Sequence, residues 1–422
     1  MQLLNTQPFE TLVWHQGQSI SRAQFAHAAQ QLAMRLPKAT HAINMCNGRL
    51  AFMLAFVAAA VRGQMILLPP NQTQGAMEQL QQAHPDHHII TDACLADLNL
   101  HISEPTAIEL DKDAIIATLF TSGSTGVPQP QAKTWRTLAR TGELDVQRFV
   151  GTGAINLVGT VPSQHMFGLQ TTVLMPLQSR CAIHDSRPFF PADIRYALQA
   201  VPAPRALIIT PTHLRACVSA QVQLPGLEFI LSATAPMPLE LAQQAEALWR
   251  TQVLEIYGST EAGTMATRRS TAGEAWQLMP DARLEQLQDG TLFHAAHLPA
   301  PLHLSDHIEM LGNNEFRLLG RATEQLKIAG KRATLSELTH ALLKIPGISD
   351  GVVFLPTGAE RTAALVVSSL STAQILDALA ESVDPVFLPR PLLKVTALPR
   401  NEVGKLTQAA LQNALAAHAS QS

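Results

Sequence analysis

"LFTSGSTGVPQPQ", Leu119–Gln131, places two glycines, Gly123 and Gly126, among four hydroxyl side chains directly after the apolar run "AIIATLF". Gly123 and Gly126 let the backbone turn where other residues are strained. Thr121, Ser122, Ser124 and Thr125 add hydroxyl donors, and Pro128 ends regular pairing soon afterwards. Such a loop suits an anion with several oxygens, such as a polyphosphate. Taken alone, it reads equally well as a flexible Ser/Gly turn. It is not the common ATP-binding P-loop, which needs four residues between its glycines and a lysine before Ser/Thr. The spacing here is shorter, and Gln129 stands where a lysine is expected. A kinase or motor ATPase is therefore disfavoured.

On both sides of this loop, short apolar runs alternate with helical patterns. "HAINMC" precedes the apolar stretch Leu50–Val61, and "QMILLPP", "AMEQLQQAH" and "HHIIT" follow. Beyond the loop come "INLVGTVPS", "RALIITP", "LEFILSA", "LELAQQAEALW" and "QVLEIYG". This rhythm predicts an α/β fold with parallel strands, and strands apolar throughout predict a sheet covered on both faces. Near residue 280 the pattern changes to hairpins turning at Asp289-Gly290 and Asn313-Asn314. From Ala322 onward, "LSELTHALLKI", "DGVVFLP", "TAALVVS" and "TAQILDALAES" predict a small α+β domain. The boundary is placed at Gly320–Thr323, giving a large domain over 1–320 and a small one over 321–422. No internal repeat or low-complexity tract is evident, and the end, "QNALAAHASQS", is expected to fray.

Bulk properties narrow the function. With 422 residues, 46% hydrophobic and 15% charged, the chain fills a large core and does not resemble disorder. A formal charge of -3 offers no basic excess for nucleic acid or an anionic membrane. Cys46, Cys94, Cys181 and Cys217 form no Cys-x-x-Cys motif, so buried thiols in a reducing cytoplasm are expected. "MQLLNTQPFETLVW" carries no export-signal pattern, and Leu50–Val61 is too short to span a bilayer, so stable membrane insertion is not expected. The histidines of "HPDHHII" and of "HAAH", His294 and His297, have no cysteine or clear carboxylate geometry to complete a metal site.

Three further stretches bear on the chemistry. "EIYGSTEAG", Glu255–Gly263, sets a glycine, two hydroxyls and the Glu261 carboxylate after a strand. Glu261 suits magnesium, a hard cation that takes carboxylate oxygen, although a surface Glu in a turn has the same signature. "LHLSDHIEMLGNNEFRLLGRATEQLKIAGKR" carries Asp306 after one strand and Arg321 after a hairpin. Asp306 suits a ribose diol, with a strand-end cap as the plainer reading. "LPRNEVGKLTQAAL" presents Lys405 after a glycine, able to reach an anionic centre or simply to stay solvated.

In this order and spacing, the four stretches resemble the adenylate-forming ligase superfamily: acyl-CoA and aryl-CoA synthetases, peptide-synthetase adenylation domains and acyl-carrier-protein ligases. The resemblance covers almost the whole chain, including "SISRAQFAHAAQQLAMRL" and "MLAFVAAAVRGQMILLPPN" near the start. It implies the adenylate-forming fold, with a large multi-sheet domain and a small mobile C-terminal domain. It also implies roles. The Thr121–Gly126 loop would wrap the β- and γ-phosphates of ATP. Ser232, Ala233, Thr234, Ala235 and Pro236 would pass along the adenine, with Tyr257 packed on its ring and Gly258 beside it. Thr260 would contact the α-phosphate and Glu261 would bind magnesium. Asp306 and Arg321 would hold the ribose, and His165 in "VPSQHMFG" would border the acyl pocket with Phe167, Ser232, Gly258 and Gly263. Lys405 would bridge the carboxylate and the α-phosphate, and Gly330 in "KIAGKR" would line the pantetheine tunnel.

The chain departs from the family pattern at three places. Gln129 replaces the usual lysine, with Lys133 about one helical turn further on as its expected substitute. Thr323-Glu324 replaces the usual Asp-Asp after the hinge arginine. The large domain is short, its phosphate loop arriving by residue 121. The segment "FTSGSTGVPQPQAKTW" is similar to small ligases of aryl-polyene and xanthomonadin-type pigment pathways. That resemblance implies an aryl acid such as a hydroxybenzoate, and an acyl carrier protein as partner. The alternatives are a fatty-acyl- or aryl-CoA synthetase using free CoA and, in another class, a non-catalytic nucleotide-binding protein on the same fold.

Overall fold

The computed structural model describes residues 2–3, 7–69, 73–96, 98–101, 107–121, 129–288, 290–321, 325–328, 331–359, 361–401, 404 and 406–419. The chain opens with β1 (Thr11–His15), β2 (Gln18–Ser21) and α1 (Arg22–Arg35). Then come β3 (His41–Asn44), α2 (Arg49–Val61), β4 (Met65–Leu68), α3 (Gln74–Ala83), β5 (His87–Ile90), β6 (Ile115–Thr121), β7 (Gln129–Thr134) and α4 (Trp135–Phe149). The strand–helix rhythm read from the sequence is present: β3, β4, β5 and β6 are mutually parallel in a five-stranded sheet of order β5-β3-β4-β6-β7. Only β7 is antiparallel, folding back on β6 after the glycine-rich loop.

A larger sheet follows. It contains β8 (Asn156–Gly159), β9 (Ala182–His184), β10 (Arg205–Ile209), β11 (Phe229–Ser232), β12 (Gln252–Ser259), β13 (Gly263–Arg268) and β14 (Trp276–Leu278). Within it, nine strands run in the order β14-β13-β12-β11-β10-β8-β9-β1-β2. The connections hold α5 (Met166–Leu169), a π-helical turn over Gln170–Leu174, α6 (Met175–Gln178), α7 (Pro191–Gln199), α8 (Pro211–Ser219) and α9 (Leu239–Trp249).

By compactness the chain divides into two units, one of residues 1–282 with 295–300, the other of 283–294 with 301–422. In the first, α2 is buried on every side from Arg49 to Ala60. A helix apolar around its whole circumference has no solvent face to present. It belongs to a core cluster that also holds Phe25 of α1, Trp135 of α4 and Leu231 of β11. Arg49, at the start of α2, is buried too; its guanidinium donates to the Gly159 carbonyl at 3.0 Å, to the Ser163 hydroxyl at 3.0 Å and to the Thr172 hydroxyl.

The second unit contains β15 (Ala282–Leu287), β16 (Gly290–Ala295) and β17 (Leu302–Leu304) in one small sheet, and the antiparallel pair β18 (Asp306–Met310) and β19 (Glu315–Arg321). The hairpin anticipated at Asn313-Asn314 joins β18 and β19; β15 and β16 are paired neighbours, and Asp289 of the other anticipated turn lies outside the described residues. A second antiparallel pair, β20 (Gln325–Ile328) and β21 (Lys331–Thr334), leads to α10 (Leu335–Leu343). Then β22 (Ile348–Phe354), β23 (Ala363–Ser368), α11 (Thr372–Ala380), β24 (Leu392–Lys394) and α12 (Gln408–Ala419) complete an α+β arrangement. Its core packs Leu338 and Leu342 of α10 with Ile375 and Leu379 of α11 against Val353, Ala364 and Val366. Among the described residues, no helix is long and apolar enough to cross a membrane.

Candidate active site

β8, β10, β11 and β12 are parallel, so the loops after them leave the same edge of the large sheet. Open α/β sheets bind ligands at this edge, where loops diverge beyond the carboxyl ends of the strands. It collects His165 beyond β8, Ser232–Pro236 beyond β11 and Tyr257–Glu261 at the end of β12. These are residues the sequence nominated from three distant stretches.

Each has a local reason for its position. Ser232 ends β11 with its hydroxyl buried and without a hydrogen-bond partner among the described residues. A buried hydroxyl left unsatisfied is costly, so the strand end suits a ligand atom that completes it. Two residues on, Thr234 takes a φ of +79°, a backbone conformation that a β-branched residue adopts only when its surroundings impose it. His165 is the cap residue of α5 and is half-buried.

Tyr257 is anchored by residues that sequence reasoning missed. Glu255 and Tyr257 alternate onto one face of β12. Buried Glu255 receives Arg268 in a two-pronged contact at 3.0 and 3.1 Å. The Arg268 guanidinium lies 4.4 Å from the centre of the Trp276 ring, and that ring lies 5.7 Å from Tyr257. Burial pushes the Glu255 carboxyl upward in pKa, and the charge of Arg268 opposes that shift. The chain Glu255–Arg268–Trp276–Tyr257 holds an aromatic face suited to a planar base. Only the two-residue spacing of Glu255 and Tyr257 is visible in the sequence; Arg268 and Trp276 arrive through the β12–β13–β14 pairing.

Thr260 and Glu261 are half-buried in the turn between β12 and β13. The turn is tight: a side chain on Gly258 would place its Cβ 2.2 Å from the Gly263 carbonyl oxygen. Three buried side chains grip the backbone and side chains from Glu261 to Thr264. Lys133 of β7 donates from Nζ to the Glu261 carbonyl at 2.6 Å. His297 Nε2 meets the Ala262 carbonyl at 2.9 Å. Gln170 donates to the Thr264 hydroxyl and to Asp145 Oδ2, each at 3.2 Å. Burial lowers the pKa of Lys133 to about 8, partly offset by the charge of Glu261. Burial pushes the Asp145 carboxyl up to about 7.

Lys133 thus corrects one expectation. It shares a strand with Gln129, about 13 Å along it rather than one helical turn away, and its ammonium group is directed to the Glu261 carbonyl. In the second unit, Asp306 and Arg321 are register partners across the β18–β19 ladder, which sets the two residues nominated for ribose opposite each other. Ser122, Gly123, Ser124, Thr125, Gly126, Gly330 and Lys405 lie outside the described residues, as do Thr323 and Glu324; Thr121 and Arg321 are described in their backbone only. No cluster of three or more potential metal ligands occurs among the described residues, His294 and His297 included.

The model of the AMP-binding enzyme family matches residues 20–290, more than half of the chain. The chain belongs to that family. This AMP-binding enzyme is similar to a 4-coumarate–CoA ligase of Rhodobacter capsulatus, 31% identical over 268 residues that cover 62% of this chain and 66% of the relative. A 4-coumarate–CoA ligase of Halorhodospira halophila is 27% identical over 302 residues, covering 68% and 74%. The chain spans about two thirds of the length of the first of these relatives. Among solved structures, ATP-bound MatB from Rhodopseudomonas palustris superposes with a TM-score of 0.83 at 17% identity, covering 97% of this chain and 96% of that one. MenE of Bacillus subtilis, in complex with ATP and magnesium ion, gives 0.79 at 16%, covering 96% of each chain. These two likenesses establish the adenylate-forming ligase fold. The AMP-binding enzyme is an acid–thiol ligase by class. Its residues suit a magnesium nucleotide: the buried Ser232 hydroxyl has no hydrogen-bond partner among the described residues, and Glu261 is half-buried with its backbone carbonyl held by Lys133.

Proposed function

We propose that the protein activates an aromatic carboxylic acid with ATP and passes the acyl group to a phosphopantetheine thiol. The observation that carries this reading is the convergence of His165, Ser232–Pro236 and Tyr257–Glu261 on one carboxyl edge of the large sheet. The names of relatives support an aromatic acid: 4-coumarate–CoA ligases and a nicotinic acid–CoA ligase.

In the first half-reaction a carboxylate oxygen attacks the α-phosphorus of ATP, and pyrophosphate leaves. Two anions meet, so the site must offset their repulsion. In this reading the Thr121–Gly126 loop holds the β- and γ-phosphates. The Ser232–Pro236 backbone and Tyr257 hold the adenine, Asp306 and Arg321 the ribose, and Thr260 the α-phosphate. Glu261 would hold magnesium, which would supply positive charge against the phosphates. Lys405 bridges the two reacting groups. In the second half-reaction the thiolate attacks the acyl carbon of the acyl-AMP, a thioester bond forms and AMP departs. The division at 320/321 is proposed to let the small domain present Lys405 for the first step and Gly330 for the second.

The acceptor is assigned to the phosphopantetheine arm of an acyl carrier protein, on the strength of the Gln129–Trp135 segment and its likeness to aryl-polyene-type ligases. Free CoA is the second reading, and the names of the relatives favour it. ATP–pyrophosphate exchange across a panel of aryl and fatty acids tests the first half-reaction: hydroxybenzoates should support exchange, and an absence of exchange with every acid overturns the enzyme reading. Transfer to holo carrier protein and to CoA, compared under equal conditions, separates the acceptors. CoA thioester formation without carrier loading overturns the carrier assignment.

A further inference from the structure

We propose that Lys133 is a positioning residue for the magnesium–nucleotide site, joining the strand that leaves the glycine-rich loop to the residue that binds the metal. The inference rests on the reading of Glu261 as magnesium ligand. Lys133 is 4% exposed, and a lysine so deeply placed must recover lost hydration from specific partners. The partner is the backbone of Glu261 itself: Nζ donates to its carbonyl at 2.6 Å, within the field of its carboxylate. A charged donor to a carbonyl makes a stronger bond than a neutral one, so the contact fixes the orientation of that peptide unit. The grip continues along the turn. Ala262 is held by His297, Gly263 stands at a φ of +74° against Thr141 and Gln170, and Thr264 is held by Gln170. Of these groups, Lys133 touches the nominated ligand directly and lies on β7, five residues beyond the glycine-rich segment's Pro128. With the Glu261 backbone held beforehand, less ordering remains when its carboxylate takes up a cation.

The test reads binding. ATP affinity is measured by calorimetry with magnesium chloride and, separately, with EDTA, for the wild type, Lys133→Met, Lys133→Gln and Glu261→Gln. Lys133→Met keeps the length and burial of the side chain while removing the donor and charge. It should lose roughly tenfold in ATP affinity with magnesium, as expected for one charge-assisted hydrogen bond, and nothing with EDTA. Amide hydrogen exchange in the free protein should accelerate locally over Ser259–Thr264. Lys133→Gln, which retains a donor, should recover part of both losses and serves if the methionine variant fails to fold. Equal losses with and without magnesium, or exchange faster throughout the chain, would mark general packing and overturn the inference. Unchanged affinity and unchanged local exchange in both Lys133 variants would overturn it as well, even if Glu261→Gln loses the magnesium effect. A Glu261→Gln protein with full magnesium dependence overturns the metal assignment and this inference together.

Discussion

Asp145 of α4 is wholly buried, with Oδ2 held by Gln170 and Oδ1 without a hydrogen-bond partner among the described residues; the Thr264 hydroxyl and the charge of Arg148 oppose the effect of burial on it. Its carboxyl is pushed up to about 7 by burial, from an ordinary value of 3.8. A raised pKa in the folded state means that folding binds a proton between those values, so the contribution of Asp145 to stability is largest below about pH 4. It declines as pH climbs toward 7 and is constant above that. Asp145→Asn removes the titration and keeps the shape. Its stability relative to wild type should therefore improve from pH 5 to pH 8 by roughly 2–3 kcal/mol, because the wild type loses about 1.4 kcal/mol for each step of one in pH between 5 and 7. Urea unfolding at the two pH values checks this; a difference that does not change with pH refutes the buried ionisation. At Glu261 the expectation is opposite in kind: Glu261→Gln should weaken magnesium–ATP use with little change in unfolding midpoint, because the side chain is half-buried in a turn. Full exchange activity in that variant would remove it from the metal site.

The β12–β13 hairpin shows at the scale of elements how the site is built. Gly258 lies where a register shift interrupts the ladder, and the Gly263 carbonyl crosses just where its Cβ would be. Gly258→Ala should force the strands apart, costing about 1–3 kcal/mol and displacing Tyr257 and Glu261 together. Thermal unfolding and ATP binding should both weaken; a variant that binds ATP normally would show that the hairpin tolerates opening. Much of this architecture was legible in the sequence. The apolar runs from "HAINMC" to "QVLEIYG" each contain the strand expected, since a fully covered parallel strand must be apolar on both faces. The residues around Ser232 are nominated by the family resemblance and Glu261 by its place after a strand, and the structure sets both stretches at the end of such a run. What escaped was set by register: the contact of Lys133 with Glu261 spans 128 residues, and that of Arg268 with Trp276 depends on antiparallel pairing. Local patterns carry no record of which strand will lie alongside. The spacing from Gln129 to Lys133 equals one turn only in a helix, and the stretch that carries both residues is a strand.

At the scale of the whole molecule, the proposed two-step reaction assigns separate work to two positions in the C-terminal part. Lys405→Ala should slow acyl-AMP formation roughly 100- to 1,000-fold, as for loss of one charged transition-state donor, while supplied acyl-AMP still reacts with thiol at close to the wild-type rate. Gly330→Leu should do the reverse, its side chain filling the proposed pantetheine path. Pyrophosphate exchange and single-turnover transfer, measured separately, decide the matter: if both steps fall together in both variants, domain alternation is not the mechanism. The burial of α2 has a consequence for biosynthesis. This helix exposes an unbroken apolar surface from Leu50 to Ala60 until its core partners exist, and one of them, Leu231 of β11, is made some 170 residues later. At typical elongation rates that interval is roughly 10–35 s, long enough for an uncovered apolar segment to meet another nascent chain. Arg49 and Arg62 flank it, charges that discourage such encounters. Arg49 later turns inward to receive Gly159, Ser163 and Thr172, so the same side chain that guards the helix on the ribosome becomes a fastening of the finished core.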